Sequence, residues 1–408
     1  MSEPQRDVIT ATYEVVTPLF CAGATPTTAE LRLPSFKGVL RFWWRALAWS
    51  QYEGNLSDIK KHEDALFGST AGRARIHMRL TPGAQPDVVA MGTVLDKPKL
   101  GMGARYLGYG LMEAFDRKAT AKRPALKAGE LTRGCIRAPL TFTVVIRCRH
   151  LDANQVALLG RALRALGTFG GMGARSRRGY GSLALRALTT DRLPEWRAPD
   201  SLDLLSNEIP AIVGERRSGP TQDTPYTAFS SAARVILAEA VDEPVKLLDL
   251  VGREMVRYRS WGNEGVILGG GIDREEIFKE DHDLMKLSPS ARRVHPRRLA
   301  FGLPHNYGKR SPDQVGPHDP NLDRRASPLF IHVHQCARPV LVISFLPARF
   351  LPLERTAISV GGKRVKLRPE PDLYRPIDAF LDRMQTNDHS DPAKRRKEFF
   401  SRVKEVQW

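Results

Sequence analysis

The sequence predicts an α+β protein of two tandem ferredoxin-like (RRM-like) domains, each a β-α-β-β-α-β unit carrying insertions. Three observations lead there. Residues 1–190 alternate strand-like and helix-like stretches in that order, and residues 226–408 run through the same order a second time. A polar segment rich in Pro, Ser and charged residues, 191–225, separates them and reads as a linker. No close sequence repeat joins the two halves, so the duplication rests on element order alone.

Alternation over residues 10–19 (TATYEVVTPL) predicts the first strand. Ser35 is the expected N-cap of a helix in which Phe36, Leu40, Trp43 and Leu47 share an apolar face. Lys37, Arg41 and Arg45 recur at i, i+4, i+8 on another face, with Trp44 beside them on the helical wheel. Lys37 falls in the first turn, where free N–H groups and the helix dipole favour phosphate. Residues 74–80 and 139–148 read as the second and third strands, separated by a basic insertion at 82–137 that contains YLGYGLM at 106–112. Asp152 caps a second helix with Val156, Leu159, Leu163 and Leu166 at helical spacing, and residues 183–188 form the fourth strand.

In the second half, 229–240 reads as a strand and 245–261 as a helix. Strands follow at 329–336 and 340–346, then a turn at Gly361-Gly362 between short strands, and a helix near 377–384. The last stretch reads as a basic C-terminal helix opened by Asp391-Pro392, with Phe399, Phe400 and Val403 on its apolar side.

Between the Asp152 helix and the fourth strand lies GTFGGMGARSRRGYG, residues 167–181. Its glycines, Gly173 among them, permit positive φ and close approach. Arg175, Arg177 and Arg178 supply guanidinium forks that match phosphate oxygens. The glycines follow a helix instead of opening one, so this is no nucleotide cradle of the strand–loop–helix kind. The segment is expected to grip a polyanion through its arginines, with Tyr180 and Trp44 available to stack on bases.

Composition points to the same partner. Lys and Arg total 63 against 45 acidic residues, a formal net charge of +18, which favours an acidic polymer. Charge alone does not separate RNA from DNA or an anionic membrane. No apolar run is long enough to span a bilayer, and residues 1–16 lack a signal-peptide layout. Cys21, Cys135, Cys148 and Cys336 are scattered without C-x-x-C spacing, so neither a zinc site nor a disulfide framework is expected. A cytoplasmic protein without cofactor follows.

TPLFCAGA (17–24), LPSFKGVLRFWWRAL (33–47), SRRGYGSL (176–183), GLPHNYGK (302–309) and DRRASPLFIHV (323–333) together resemble the RAMP superfamily of CRISPR proteins, and within it the Cmr1-type subunits of the type III-B Cmr effector complex. The resemblance implies two ferredoxin-like domains and a non-catalytic subunit. It implies a place near the 3′ end of the guide (crRNA), contacts with other RAMP subunits, and help in capturing complementary target RNA. Carried over residue by residue, it puts Lys37, Arg41 and Arg45 on a basic surface, Gly173, Arg175, Arg177 and Arg178 in the glycine-rich loop, and Arg324 and Arg325 in the second domain's matching block.

Some RAMP relatives cleave RNA without metal, so the alternative is an endoribonuclease that processes precursor guide RNA. His305, Tyr307 and Lys309 are its candidate acid–base groups. His332 and His334, with His318 and Asp319 nearby in sequence, lack a convincing metal-ligand pattern.

Overall fold

The computed structural model describes residues 6–96, 99–121, 123–191, 193–214, 224–259, 266–267, 270–271, 275–308, 314–385 and 400–408. The first unit runs β1 (Arg6–Val15), α1 (Leu33–Gln51), α2 (Leu56–Phe67), β2 (Ile76–Pro82), β3 (Val88–Val89), α3 (Met102–Leu107), β4 (Cys135–Ile136), β5 (Leu140–Arg149), α4 (Ala153–Phe169) and β6 (Leu183–Thr190). Its antiparallel sheet has the order β2-β5-β1-β6-β7, where β7 is Leu193–Arg197. Strand β2 is an open edge of this sheet, and His77 and Arg79 are exposed along it.

The expected linker is structured where it is described. It contributes β7 to the first sheet and then α5 (Leu202–Val213), whose Leu205, Ile209 and Ile212 are buried. The polar flanks and Pro210 gave the segment a linker-like composition, although Leu202, Leu205, Ile209 and Ile212 recur at helical spacing.

The second unit contains β8 (Arg234–Glu239), α6 (Pro244–Arg259), β9 (Val266–Ile267), β10 (Gly270–Gly271), α7 (Lys279–Lys286), β11 (His305–Asn306) and β12 (Gln314–Pro317). It continues through β13 (Leu329–Gln335), β14 (Pro339–Phe345), β15 (Ala357–Val360), β16 (Lys363–Lys366), α8 (Glu370–Gln385) and β17 (Arg402–Glu405). Its main sheet has the order β13-β14-β8-β17, and β11-β12-β15-β16 form a smaller one. Taken along the chain, the four strands of this main sheet occur in the spatial order second, third, first, fourth. The four strands β2-β5-β1-β6 of the first unit have the same order. Residues 391–399 of the expected C-terminal helix lie outside the described residues. Val403, assigned to that helix, is instead in strand β17, because the edge of β8 takes residues 402–405 as its partner.

Local chemistry accounts for the main elements. Asp152 and Gln155 form a full capping box at the start of α4. Helix α1 begins earlier than Ser35 would set it: Arg32 is the N-cap, without a side-chain bond, and Pro34 sits in the first turn, where its missing N–H is no loss. Phe36, Leu40, Trp43 and Leu47 are buried as their spacing requires.

The two units share their packing. Phe42 and Trp43 of α1 and Phe169 of α4 meet Phe229 and Phe330 of the second unit, with centroids 5.6 Å apart for Trp43–Phe330 and 5.2 Å for Phe169–Phe229. Burying such a ring stabilises by roughly 1.5–3 kcal/mol. Helix α3, within the insertion, crosses onto α6. A Cβ at Gly103 would lie 2.0 Å from the Asp249 carbonyl oxygen, and one at Gly252 would lie 2.2 Å from that of Gly103, so only glycine allows this approach. The Ala104 N–H donates to Asp249 Oδ1 at 3.0 Å, fixing the register of the contact.

Candidate nucleic-acid interface

Helix α2 changes the reading of the α1 stripe. It places Glu63 and Asp64 against the arginines: Arg41 Nε bonds Glu63, Arg41 Nη2 lies 3.5 Å from Asp64 Oδ1, and Arg45 Nε lies 3.6 Å from Glu63 Oε1. Two of the three cations therefore already have carboxylate partners. Lys37 has none among the described residues. It lines a groove of about 430 Å³ with Arg75, His77 and Arg149. Trp44 is not available to bases. It is 2 % exposed and packs on Tyr52 and on Phe67 of α2, an element the sequence reading lacked.

The glycine segment is a junction between the units. Gly167 still belongs to α4. Beyond it the Ile331 N–H donates to the Arg177 carbonyl at 3.0 Å, and Arg178 bridges Ile331 in parallel, so the loop covers the edge of β13. Gly173, Gly179 and Gly181 have φ of 86°, 83° and 59°. A Cβ at Gly173 would meet the Phe20 carbonyl oxygen at 2.5 Å, and one at Gly181 that of Met172 at 2.2 Å. The glycines thus serve protein–protein backbone approach inside the molecule.

Several side chains assigned to RNA turn inward for the same reason. Tyr180 is fully buried and its hydroxyl donates to the Ala104 carbonyl at 2.7 Å. Arg177 donates to the Ser327 carbonyl at 3.0 Å and stacks 4.6 Å over the Phe330 ring; burial, then Arg325, pulls it down to about 10. Arg325 donates to the Arg349 carbonyl at 3.0 Å and lies 5.8 Å over Phe350. Arg177 ties the glycine loop to the second unit, Tyr180 ties it to helix α3, and Arg325 is engaged within the second unit.

Arg175 is different. It takes a left-handed backbone (φ 63°), and its side chain is exposed in the electrostatic field of Arg133 and Arg324, beside Tyr109. Arg324 is exposed too, with only a surface pair to Asp323 at 3.4 Å. Tyr109 is 68 % and Phe115 74 % exposed. Insertion, glycine loop and second unit thus bring Arg133, Arg175 and Arg324 together next to exposed aromatic surface. No hydrogen bond or ion pair among the described residues joins this cluster to the α1 stripe. Loop, insertion and second unit meet at this cluster. Sequence reasoning missed Arg133 and Tyr109, although YLGYGLM in a basic insertion was their signal.

Beneath the cluster, Arg178 donates to Met255 Sδ at 3.1 Å, and burial and Arg259 pull it down to about 10. The rings of His305 and Tyr307 are 6.4 Å apart. Burial and the three guanidiniums of Arg259, Arg298 and Arg178 hold His305 well below its usual range, and burial pushes Tyr307 well above its own. Lys309 lies outside the described residues. His332 Nδ1 and His334 Nδ1 bond the Gly170 and Gly167 carbonyls at 2.7 and 2.9 Å, at the C-terminal end of α4. Among the described residues no cluster of three His, Cys, Asp or Glu is placed to hold a metal, and no helix is long and apolar enough to cross a membrane. The four cysteines are free and buried.

Two sheets of one strand order, joined by a glycine-rich loop, define the class, and residues 12–184 match the RAMP superfamily. Two curated relatives come from Pyrococcus furiosus. CRISPR system Cmr subunit Cmr1-1 is 30% identical over 273 residues, 64% of this chain and 75% of the relative; Cmr1-2 is 28% identical over 187 residues, 43% of this chain and 93% of the relative. The chain belongs to the Cmr1 family of RAMP proteins. The crystal structure of apo Cmr1 from the same organism superposes with a TM-score of 0.56 at 20% identity, covering 92% of this chain and 96% of the other, a likeness of fold.

Proposed function

We propose that the chain is a non-catalytic RNA-binding subunit of a type III-B CRISPR effector complex, acting in the cytoplasm in antiviral defence. In this reading it sits near the 3′ end of the guide RNA, beside other RAMP subunits, and helps capture complementary target RNA. We read its two units as tandem ferredoxin-like domains, on their common strand order. The relatives named as Cmr subunits and the net charge of +18 support the reading. The observation that carries it is the convergence of Arg133, Arg175 and Arg324 beside exposed Tyr109. Guanidiniums from three segments, of which Arg324 has a surface pair with Asp323, suit a sugar-phosphate backbone, and an exposed ring suits a base.

The test is RNA binding by the purified chain across a salt series. Arg175→Ala/Arg324→Ala should lower the slope of log affinity against log salt by about 1.4, at about 0.7 per contact on a single strand. Its melt should not change, because both side chains are exposed. Unaltered binding would remove this surface from the RNA path. The endoribonuclease reading keeps one observation in its favour, the seating of His305 and Tyr307 among arginines. Cleavage of end-labelled repeat RNA in EDTA, lost in His305→Ala, would replace the binding role with that one.

A further inference from the structure

The cations beneath the surface cluster are more than the described structure needs. Arg259 ends α6 and is only 9 % exposed, yet its Nε has no partner; its Nη1 donates to the Tyr106 hydroxyl at 3.1 Å, and its guanidinium stacks 4.6 Å over Phe301. Arg298 donates to the Arg259 carbonyl at 2.9 Å and stacks 4.6 Å over Tyr307; its Nε is also unpartnered. Arg178 reaches Met255, one helical turn before Arg259 on the same face of α6. No ion pair links any of these three to a carboxylate among the described residues. Asp281, in the electrostatic field of Arg298, accepts the backbone N–H groups of Arg297 and Arg298, both at 2.8 Å.

Arg259 is buried, and Arg178 and Arg298 are half-buried. A buried guanidinium with no described carboxylate partner is unfavourable, and a fold that required only a hydrogen-bonded spacer at Arg259 would be more stable with a neutral side chain. Stacking on Phe301 and Tyr307 offsets part of that penalty, while the Nε donors of Arg259 and Arg298 stay unpartnered. The seam is continuous with the surface cluster, since Arg178 is electrostatically coupled to both Arg175 and Arg259.

We propose that Arg178, Arg259 and Arg298 form an inter-unit seat for one phosphodiester group of single-stranded RNA, with Tyr106 and Tyr307 at its rim. It rests on the RNA-binding reading above and adds to it a deeper seat, where the backbone of the strand leaves the surface and is held between the units. A phosphate supplies a counter-charge that no carboxylate among the described residues gives, and accepts from two arginine forks at once.

The experiment measures anisotropy of a fluorescein-labelled single-stranded RNA across a salt series, with the melt of each protein recorded with and without RNA. Arg259→Met should bind about 10–100-fold more weakly, the range for loss of a charge-assisted bond, with a slope lower by about 0.7. Its melt without RNA should be equal to or above that of the wild type, and Arg259→Lys should recover binding only in part. Wild-type affinity and slope in Arg259→Met would overturn the seat while leaving the surface role intact. A wild-type chain that binds no RNA overturns both. If Arg259→Met does not fold, crosslinking of wild-type protein to 4-thiouridine RNA decides. Adducts at Tyr106 or Tyr307 support the seat, and adducts confined to Tyr109 and its neighbours overturn it. Inorganic phosphate at fixed ionic strength is the control arm: if it raises the melt while RNA adducts stay outside the seam, the seat serves free anions and the proposal fails.

Discussion

At the scale of single residues, Arg383 of α8 carries the clearest consequence. It is 1 % exposed and bonds Glu254 of α6 through Nε at 2.9 Å and Glu275 through Nη2 at 2.6 Å. Arg383→Met would remove the guanidinium shared by two buried carboxylates, at a cost of about 3–5 kcal/mol, visible as a lower urea midpoint with unchanged m. The histidines give a pH dependence. His334 is pushed down to about 4 and His332 well below its usual range, by burial first, and His282 and His295 are likewise pushed down to about 4. Unfolded histidine titrates near 6.5, so below that pH the unfolded chain binds more protons. Stability is therefore fully present above about pH 6.5, and the melting temperature should fall as pH is lowered towards about 4. A flat profile between about pH 7 and 5 would mean these rings are not buried neutral. The stripe of Lys37, Arg41 and Arg45 was legible in the sequence, but its neutralisation was not. Glu63 and Asp64 sit about twenty residues away on a helix whose mixed pattern announced nothing, and the same helix hides Trp44.

At the scale of elements, the α3–α6 crossing depends on the absence of two side chains. Gly103→Ala or Gly252→Ala should push the helices apart at a cost of roughly 1–3 kcal/mol or more. A thermal melt checks this, and with it loss of near-UV signal from Tyr180, whose hydroxyl bonds the next residue, Ala104. Periodicity and caps made most elements readable: Asp152 and α4, the apolar face of α1, the two strands β13 and β14. What periodicity could not supply was the use of the glycine segment. Its composition fits a ligand loop and a backbone junction equally, and only β13, distant in sequence, decides between them. Arg259 and Arg298 were passed over for a related reason, since basic residues in the last turn of a helix are expected from the dipole alone.

At the scale of the whole molecule, the shared aromatic junction and the glycine loop predict that the two units unfold together. Calorimetry should give one transition, with van't Hoff and calorimetric enthalpies in agreement. A fragment ending at residue 214 should bind a hydrophobic dye, because Phe42, Trp43 and Phe169 lose Phe229 and Phe330 as neighbours. The open β2 margin has a different effect. Were two copies to dock there, Arg79 of each would bring like charge to the seam, so self-association along that side is disfavoured in dilute buffer and eased as electrolyte is added.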